Sequence, residues 1–259
     1  MPHDMGEVLL VGAGPGPVDL MTVRALRAVE SAQALLYDAL VGAEILDLAP
    51  QGCLRIQTGK RAGRTSMKQE TINRLMLRLA RRGLRVVRLK GGDPSIFGRV
   101  GEERAFLQGH GVPVQIVPGV TAACAAAAQF GFPLTHRGQA RRVVFTTARL
   151  EAGKLALDWR AAADPEATLA IYMGGGAAQA LSEALIAAGR TPSTPVLAVE
   201  SAGGPEARLA SGRLDGLGAL CAPVNGGPVL IVVGEVAALA DGALDSLAFD
   251  GSPLEQRTA

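Results

Sequence analysis

Short apolar segments alternate with amphipathic segments along almost the whole chain, and this alternation limits the possible folds more than any other feature. The apolar segments are rich in valine, isoleucine and leucine. Near-continuous apolar strands that alternate with helices are typical of α/β proteins with largely parallel sheets. We therefore predict an α/β fold of mixed, mostly parallel sheets, with strands at 7–11, 34–37, 54–57, 85–89, 114–117, 142–147, 168–173, 195–200 and 228–234.

The sequence also predicts two α/β lobes in tandem. A break falls at the segment VPGVTA (117–122), with five of the predicted strands before it and at least four after it. A chain of 259 residues is long enough for two modest lobes. We expect an N-terminal lobe at 1–117, a C-terminal lobe at 118–245 and a loose polar tail at 246–259.

Composition argues against several classes of protein. Aromatic residues make up only 3% of the chain and the net charge is +2, which disfavours a nucleic-acid surface. No apolar run approaches the roughly 20 residues that a membrane helix needs. Cys53, Cys124 and Cys221 lie far apart and form no metal-binding pattern. Without a recognisable secretory signal, this cysteine usage predicts a cytoplasmic protein that holds no metal.

The unusual residues fall just after the predicted strands. In open α/β sheets, ligands bind beyond the carboxyl ends of the strands. A ligand cleft lined by loops from both lobes is therefore predicted. The loops are GAGPG (12–16), Asp38, Gly59 with Lys60, GGDP (91–94), PGVTA (118–122), MGGG (173–176) and SAGG (201–204).

The first of these loops resembles a dinucleotide-binding turn. A strand, a glycine-rich turn and an acid about 20 residues on, here Asp38, are parts of that fingerprint. However, Pro17 occupies the third glycine position, and Pro15 removes an amide that a pyrophosphate would need. A nicotinamide-dependent oxidoreductase thus stays an alternative, which the two prolines disfavour.

Several other loop residues have either a role in ligand binding or a purely structural role. Gly91 and Gly92 permit positive φ and a close backbone approach, which we interpret as room for a ligand. Asp93 is a hydrogen-bond acceptor for that ligand or a cap for its own turn. Thr121 is either a ligand contact or a helix cap, and Met173 either a pocket wall or core packing.

Seven motifs occur in the order VGAGPG, YDALV, GKRAG, RLKGGDPSIFGR, VPGVTAA, FPLTHR and YMG. Together they resemble the tetrapyrrole methylase family, and within it the uroporphyrinogen-III C-methyltransferases, over about residues 7–240. The resemblance implies homodimers of two α/β lobes that bind S-adenosylmethionine between them and release S-adenosylhomocysteine. It further implies methylation of uroporphyrinogen III at carbons 2 and 7, through precorrin-1 to precorrin-2, which feeds cobalamin, sirohaem and haem d1.

The resemblance also assigns residues to roles. The acid and base correspond to Asp38 and Lys60, and Asp38 would stabilise the cationic pyrrole or take a proton from it. Because the methyl group is already activated, positioning is the main task of the enzyme. The implied S-adenosylmethionine contacts are Pro15, Gly91, Gly92, Asp93, Ile96, Thr121, Ala122, Met173, Ala202 and Val229.

The substrate carries many carboxylates and so requires cationic partners. Guanidinium groups pair with carboxylates through two hydrogen bonds, although each arginine has a surface ion pair as its alternative role. The candidates are Arg61, Arg64, Arg88, Arg99 and Arg137.

Some positions depart from the family pattern. Pro17 and Val100 replace residues common in the family, Ala148 and Arg149 stand where a Gly-His pair is usual, and Ser201 replaces an asparagine. These departures keep open a sister precorrin methyltransferase and a non-catalytic tetrapyrrole-binding protein. No dehydrogenase–chelatase segment is apparent in the sequence, so a stand-alone methylase is expected.

Overall fold

The computed structural model describes residues 5–59, 67–148, 150–151, 154–155, 162–222 and 226–241. Its first sheet has five strands in the order β3-β2-β4-β1-β5, and every neighbouring pair is parallel. All five strands lie within one or two residues of the predicted positions. They are β1 (Val8–Gly12), β2 (Ala34–Tyr37), β3 (Leu54–Gln57), β4 (Val86–Lys90) and β5 (Val114–Val117).

Helices cover both faces of this sheet, because its strands are apolar on both sides. One face packs against α1 (Val23–Glu30) and α2 (Ala43–Asp47), and the other against α3 (Gln69–Ala80) and α4 (Val100–Gly109). Helix α3 packs on the sheet through Ile72, Met76 and Leu79, which recur at helical spacing and are buried.

The second sheet has the order β11-β10-β12-β9-β6. Only β6 and β9 pair in parallel, and the other three neighbouring pairs are antiparallel. The strands are β6 (Arg142–Thr147), β9 (Ala167–Tyr172), β10 (Pro195–Glu200), β11 (Arg208–Arg213) and β12 (Val229–Val233). A separate two-stranded ribbon joins β7 (Leu150–Glu151) to β8 (Lys154–Leu155).

Three helices complete the second core. Helix α5 (Ala122–Gln129) packs on one face of the sheet, whereas α6 (Ala178–Ala187) and α7 (Leu217–Cys221) pack on the other. Each sheet thus has its own hydrophobic core on each face, which supports a proposed division into two lobes near residue 117. None of the described helices is both long and apolar enough to span a membrane.

The predicted α/β class is confirmed, but two features of the second sheet escaped prediction. Strand β11 is an edge strand with the polar sequence RLASGR, so it lacks the apolar signal of a buried strand. The antiparallel pairings were not foreseen either, because an apolar segment records burial and carries no information on strand direction.

The carboxyl ends of β1, β4 and β5 are packed backbone against backbone. A Cβ atom on Gly12 would lie 2.6 Å from the Gly92 carbonyl oxygen and 2.7 Å from the Gly119 amide nitrogen. Gly14 and Gly92 form an antiparallel bridge, in which the Gly92 amide donates to the Gly14 carbonyl at 2.7 Å. No side chain fits between these three chain segments.

This packing predicts that Gly12→Ala destabilises the protein. The added methyl group meets backbone atoms that cannot move aside, so we expect the free energy of unfolding to fall by about 1–3 kcal/mol. Urea denaturation measures the change. Gly52→Ala is the control, because a Cβ there meets nothing within 4 Å, and its effect should stay within about 0.5 kcal/mol. Equal stability of the two variants would contradict this packing.

Candidate functional site

Asp93 ties two loops together at the carboxyl edge of the first sheet. Its Oδ2 accepts a hydrogen bond from the Gly119 amide at 2.9 Å. Its Oδ1 accepts hydrogen bonds from the Ser95 amide at 2.7 Å and from the Ser95 hydroxyl. The turn-capping role considered for Asp93 is therefore present, and the carboxylate also fixes the GGDP loop against the segment that leads into α5.

The two glycines of this loop have reasons within the protein itself. Gly92 has φ +67°, a conformation that side chains disfavour. A Cβ on Gly91 would lie 3.0 Å from the Leu40 Cβ. Backbone geometry and Leu40 thus explain both glycines within the protein, and their role in admitting a ligand stays a prediction. The Gly92 amide is also already bonded to Gly14.

Tyr172, at the end of β9, links the second sheet to the start of α5. Its hydroxyl lies 2.6 Å from the Thr121 Oγ1 and accepts a hydrogen bond from the Ala123 amide at 3.2 Å. Burial raises the pKa of Tyr172, although the bond to Thr121 opposes the rise. The Thr121 side chain makes no capping hydrogen bond to its helix, so the helix-cap alternative is wrong.

Tyr172 also centres an aromatic cluster at the junction of the two sheets. The Phe97 ring lies 5.2 Å and the Phe145 ring 6.2 Å from the Tyr172 ring, measured between centroids. Phe97 is 40% exposed and Phe145 38% exposed. In a chain with so few aromatic residues, this exposed grouping is a candidate binding surface.

The loop at 201–204 meets the first glycine-rich loop on another side of the site. A Cβ on Gly203 would lie 2.5 Å from the Pro15 Cγ, so the proline ring packs directly on this glycine. The Gln129 amide holds the same loop, accepting from the Gly203 amide at 2.8 Å and donating to the Gly204 carbonyl at 3.1 Å. Ala202 is buried in the core beneath.

A cavity of about 390 Å³ opens beside Met173. Met173 is 54% exposed and has φ +56°, so the core-packing alternative for this residue is wrong. Val229 lies in the cavity wall and is buried. The cavity offers apolar side chains and the exposed backbone edges of glycines, and its lining is Met173, Gly175, Gly176, Cys221, Gly227, Pro228 and Val229.

Asp38 follows β2 and lies next to a buried cation. Its Oδ2 is 4.0 Å from the Arg88 Nη2, and its side chain is 27% exposed. Its Oδ1 is buried and has no hydrogen-bond partner within the described residues. The predicted partner Lys60 and the candidates Arg61 and Arg64 lie outside the described residues.

Arg88 is not a substrate anchor, and this prediction is wrong. The side chain is buried on β4, and its Nε lies 3.3 Å from the Glu103 Oε1. Lys90, two residues on, places its Nζ 3.1 Å from both Glu103 oxygens. Burial, together with the nearby Arg88, lowers the pKa of Lys90, and Glu103 opposes this.

Sequence reasoning missed Lys90 and Glu103. The available signal was a pair of cations at alternate positions of a strand that is otherwise apolar, which places both on one face. A helix packs on that face and must then supply a carboxylate, because buried charges require partners. Glu103 of α4 is that carboxylate.

The remaining cationic candidates are exposed. Arg99 has φ +58° at the start of α4, and its Nη2 lies 2.6 Å from the Glu102 Oε2. Hydrogen bonding between them raises the pKa of Arg99 and lowers that of Glu102. Arg137 is exposed in the turn between α5 and β6. Ile96 and Ala122, two further predicted cofactor contacts, are partly buried on the loops described above.

Comparisons with known proteins agree with this architecture. Residues 7–218 match the family of Tetrapyrrole (Corrin/Porphyrin) Methylases. The siroheme synthase of Chromobacterium violaceum is 47% identical over 237 residues, which cover 91% of this chain and 50% of that protein. Siroheme synthase 1 of Yersinia pseudotuberculosis is 48% identical, with 90% and 49% covered. The chain spans about half the length of these curated relatives.

Solved structures resemble the chain over almost their full length. The uroporphyrin-III C-methyl transferase of Thermus thermophilus, in complex with S-adenyl homocysteine, is 44% identical with a TM-score of 0.78. That match covers 90% of this chain and 99% of the Thermus chain. A cobalt precorrin-4 methyltransferase is 28% identical with a TM-score of 0.79, covering 89% and 95%. This chain therefore belongs to the family of tetrapyrrole (corrin/porphyrin) methylases.

Proposed function

We propose that this chain transfers methyl groups from S-adenosylmethionine to carbons 2 and 7 of uroporphyrinogen III, giving precorrin-2 through precorrin-1. The observation that carries the proposal is the match to a uroporphyrin-III C-methyl transferase bound to S-adenyl homocysteine, over 99% of that chain. The contact of Pro15 with Gly203, which joins a loop of each lobe, and the place of Asp38 beside Arg88 support it. We further propose that the protein is a cytoplasmic homodimer.

The residues at the cleft fit S-adenosylmethionine, which supplies an activated methyl group when bound. Met173, Pro228 and Val229 give the cavity an apolar wall suited to a purine ring. The backbone edges of Gly175 and Gly227 supply polar groups beside it. The other proposed contacts surround the cleft at Pro15, Gly91, Gly92, Asp93, Ile96, Thr121, Ala122 and Ala202.

The residues of the chain act on the substrate mainly by positioning it. Arg99 and Arg137 are exposed and would pair with substrate carboxylates. Phe97 and Phe145 present apolar surface to the pyrrole rings. Asp38, whose side chain is 27% exposed, would stabilise positive charge on the methylated pyrrole and then accept a proton from it.

A sister precorrin methyltransferase is the second candidate. It is favoured by the resemblance to a cobalt precorrin-4 methyltransferase and by the departures at Val100 and Ser201. The oxidoreductase alternative gains no support from the first loop. The Gly14 amide, which a pyrophosphate would need, donates instead to the Gly92 carbonyl at 3.2 Å.

The direct test supplies purified protein with S-adenosylmethionine and anaerobically generated uroporphyrinogen III. We expect a product heavier by two methyl groups, identified by mass spectrometry, with both methyl positions assigned by NMR. Methylation of a later precorrin alone would favour the second candidate. Binding of the tetrapyrrole without transfer would identify a non-catalytic binding protein, and either result would contradict the proposal.

Asp93→Ala should weaken S-adenosylmethionine binding, because the loop loses its bonds to Gly119 and Ser95. Hydrogen bonds to a charged group contribute about 1.5–3 kcal/mol, so we expect a loss of roughly tenfold to a hundredfold in affinity by calorimetry. Ser95→Ala is the matched control, since it removes one hydroxyl and keeps the bond to Gly119. An unchanged titration for Asp93→Ala would refute the role.

Asp38→Asn should leave S-adenosylmethionine affinity unchanged and lower kcat by about a hundredfold or more, the usual scale for a catalytic acid or base. Steady-state kinetics and calorimetry on the same preparation separate the two effects. Asp47→Asn serves as control, because Asp47 is an exposed acid paired with Arg55 at the surface. Undiminished turnover of Asp38→Asn would exclude Asp38 from the chemistry.

A further inference from the structure

We propose that the buried ionic cluster of Arg88, Lys90 and Glu103 is a positioning device for Asp38, which fixes the orientation of its carboxylate through Oδ2. The proposal rests on the proposed function, in which Asp38 acts on the pyrrole. It assigns to three residues of the first lobe a role that neither the motifs nor the comparisons supply.

The three side chains of the cluster are buried and bonded to one another. Glu103 is 0% exposed, Arg88 4% and Lys90 5%. Glu103 accepts hydrogen bonds from the Arg88 Nε at 3.3 Å, from the Lys90 Nζ at 3.1 Å, and from the Gln69 Nε2 at 3.0 Å. The Gln69 amide also donates to the Asn73 Oδ1 at 2.9 Å, which anchors the cluster to α3. The carboxylate of Glu103 is thus held from three sides.

Charge balance connects this cluster to Asp38. Arg88 and Lys90 bring two positive charges to a buried site, and Glu103 neutralises one of them. A second anion is needed, because an unpaired buried charge is strongly destabilising. Asp38 is placed to supply it, with Oδ2 4.0 Å from the Arg88 Nη2. The cluster therefore has a second carboxylate beside its second cation.

The geometry also distinguishes the two oxygens of Asp38. Oδ2 faces Arg88, whose Nη1 is fixed by the Leu89 carbonyl at 3.2 Å and whose Nε is fixed by Glu103. Oδ1 is buried and unpartnered in the described part of the chain. A guanidinium that is itself held in place orients the whole carboxylate through the oxygen that it faces.

A purely structural cluster would not need this arrangement. Apolar residues of similar volume usually stabilise a protein core as well as a buried ion pair does. Arg190 shows how this chain uses a buried arginine for structure alone: its Nε and Nη2 donate to the Ala162 and Ala167 carbonyls at 2.8 and 2.7 Å. The Arg88 cluster is built instead around carboxylates, at the end of the strand that leads into the GGDP loop.

The test is a double-mutant cycle between Arg88→Met and Asp38→Asn, measured as kcat for methylation of uroporphyrinogen III. We expect Arg88→Met alone to lower kcat about tenfold to a hundredfold, the scale seen when a residue that orients a metal ligand is removed. We expect the double variant to be no slower than Asp38→Asn, because Arg88 acts only through that carboxylate. The affinity for S-adenosylmethionine should stay within about twofold in all variants, because the Arg88 side chain faces Glu103 and Asp38 and makes no described contact with the GGDP loop.

Two further variants separate positioning from folding. Arg88→Lys keeps the charge and should recover part of the lost kcat, and it replaces Arg88→Met in the cycle if the methionine variant does not fold. Arg190→Met removes an equally buried arginine from the second lobe; it should lower the denaturation midpoint and leave the kcat of the folded protein unchanged.

Additive losses in the double variant would overturn the proposal, as would an Arg88→Lys variant no faster than Arg88→Met. An Arg88→Met protein with the kcat of the parent chain would also overturn it. Failure of the proposed function gives a different result, because a parent chain that transfers no methyl group overturns both the proposed function and the role of the cluster. A parent chain that methylates uroporphyrinogen III while the cycle is additive overturns only the role of the cluster.

Discussion

Close backbone contact at the carboxyl ends of β1, β4 and β5 is the constraint on which the candidate site depends. Gly12 and Gly119 lie so close to each other and to the Gly92 carbonyl oxygen that neither accommodates a side chain, and Gly92 has a positive φ. The bridge between Gly14 and Gly92 and the hydrogen bond from Gly119 to Asp93 hold the three loops in one arrangement. Loops fixed by backbone bonds keep their shape without a ligand, which is the condition for positioning a reactive methyl group accurately.

The second lobe is joined to these loops by specific contacts. The Tyr172 hydroxyl holds the start of α5 through Thr121 and Ala123, and Gln129 at the end of α5 holds the loop at 201–204. Helix α5 therefore connects the second sheet to both sides of the cleft. Met173 and Ser201 both adopt positive φ at this edge, and such backbone strain is common where a protein binds ligands.

The sequence predicted the fold class, nine strands and the family, and the structure and comparisons confirm them. These predictions succeeded because apolar segments and glycine motifs are local signals. Strand β11 and the antiparallel order of the second sheet were missed because polarity at an edge and strand direction leave no such signal. Arg88 was misassigned because its exposure depends on Glu103, which lies 15 residues away on another element.

Sequence reasoning was limited in the same way at the candidate site. The motifs placed Asp38, Asp93 and Met173 just after strands, and in the structure these residues follow β2, β4 and β9. The partners of each side chain depend on tertiary contacts. The closeness of Gly91 to Leu40 and the hydrogen bond between Thr121 and Tyr172 were therefore visible only in the structure.

The central claim is that the cleft between the two sheets holds the methyl donor and presents the tetrapyrrole to Asp38. A crystal structure of the protein with S-adenosylhomocysteine and uroporphyrinogen III tests it most directly. We expect S-adenosylhomocysteine against the GGDP loop and the Met173 cavity, with a pyrrole ring beside the Asp38 carboxylate. A tetrapyrrole bound away from Asp38, or a nucleoside bound outside this cleft, would contradict it.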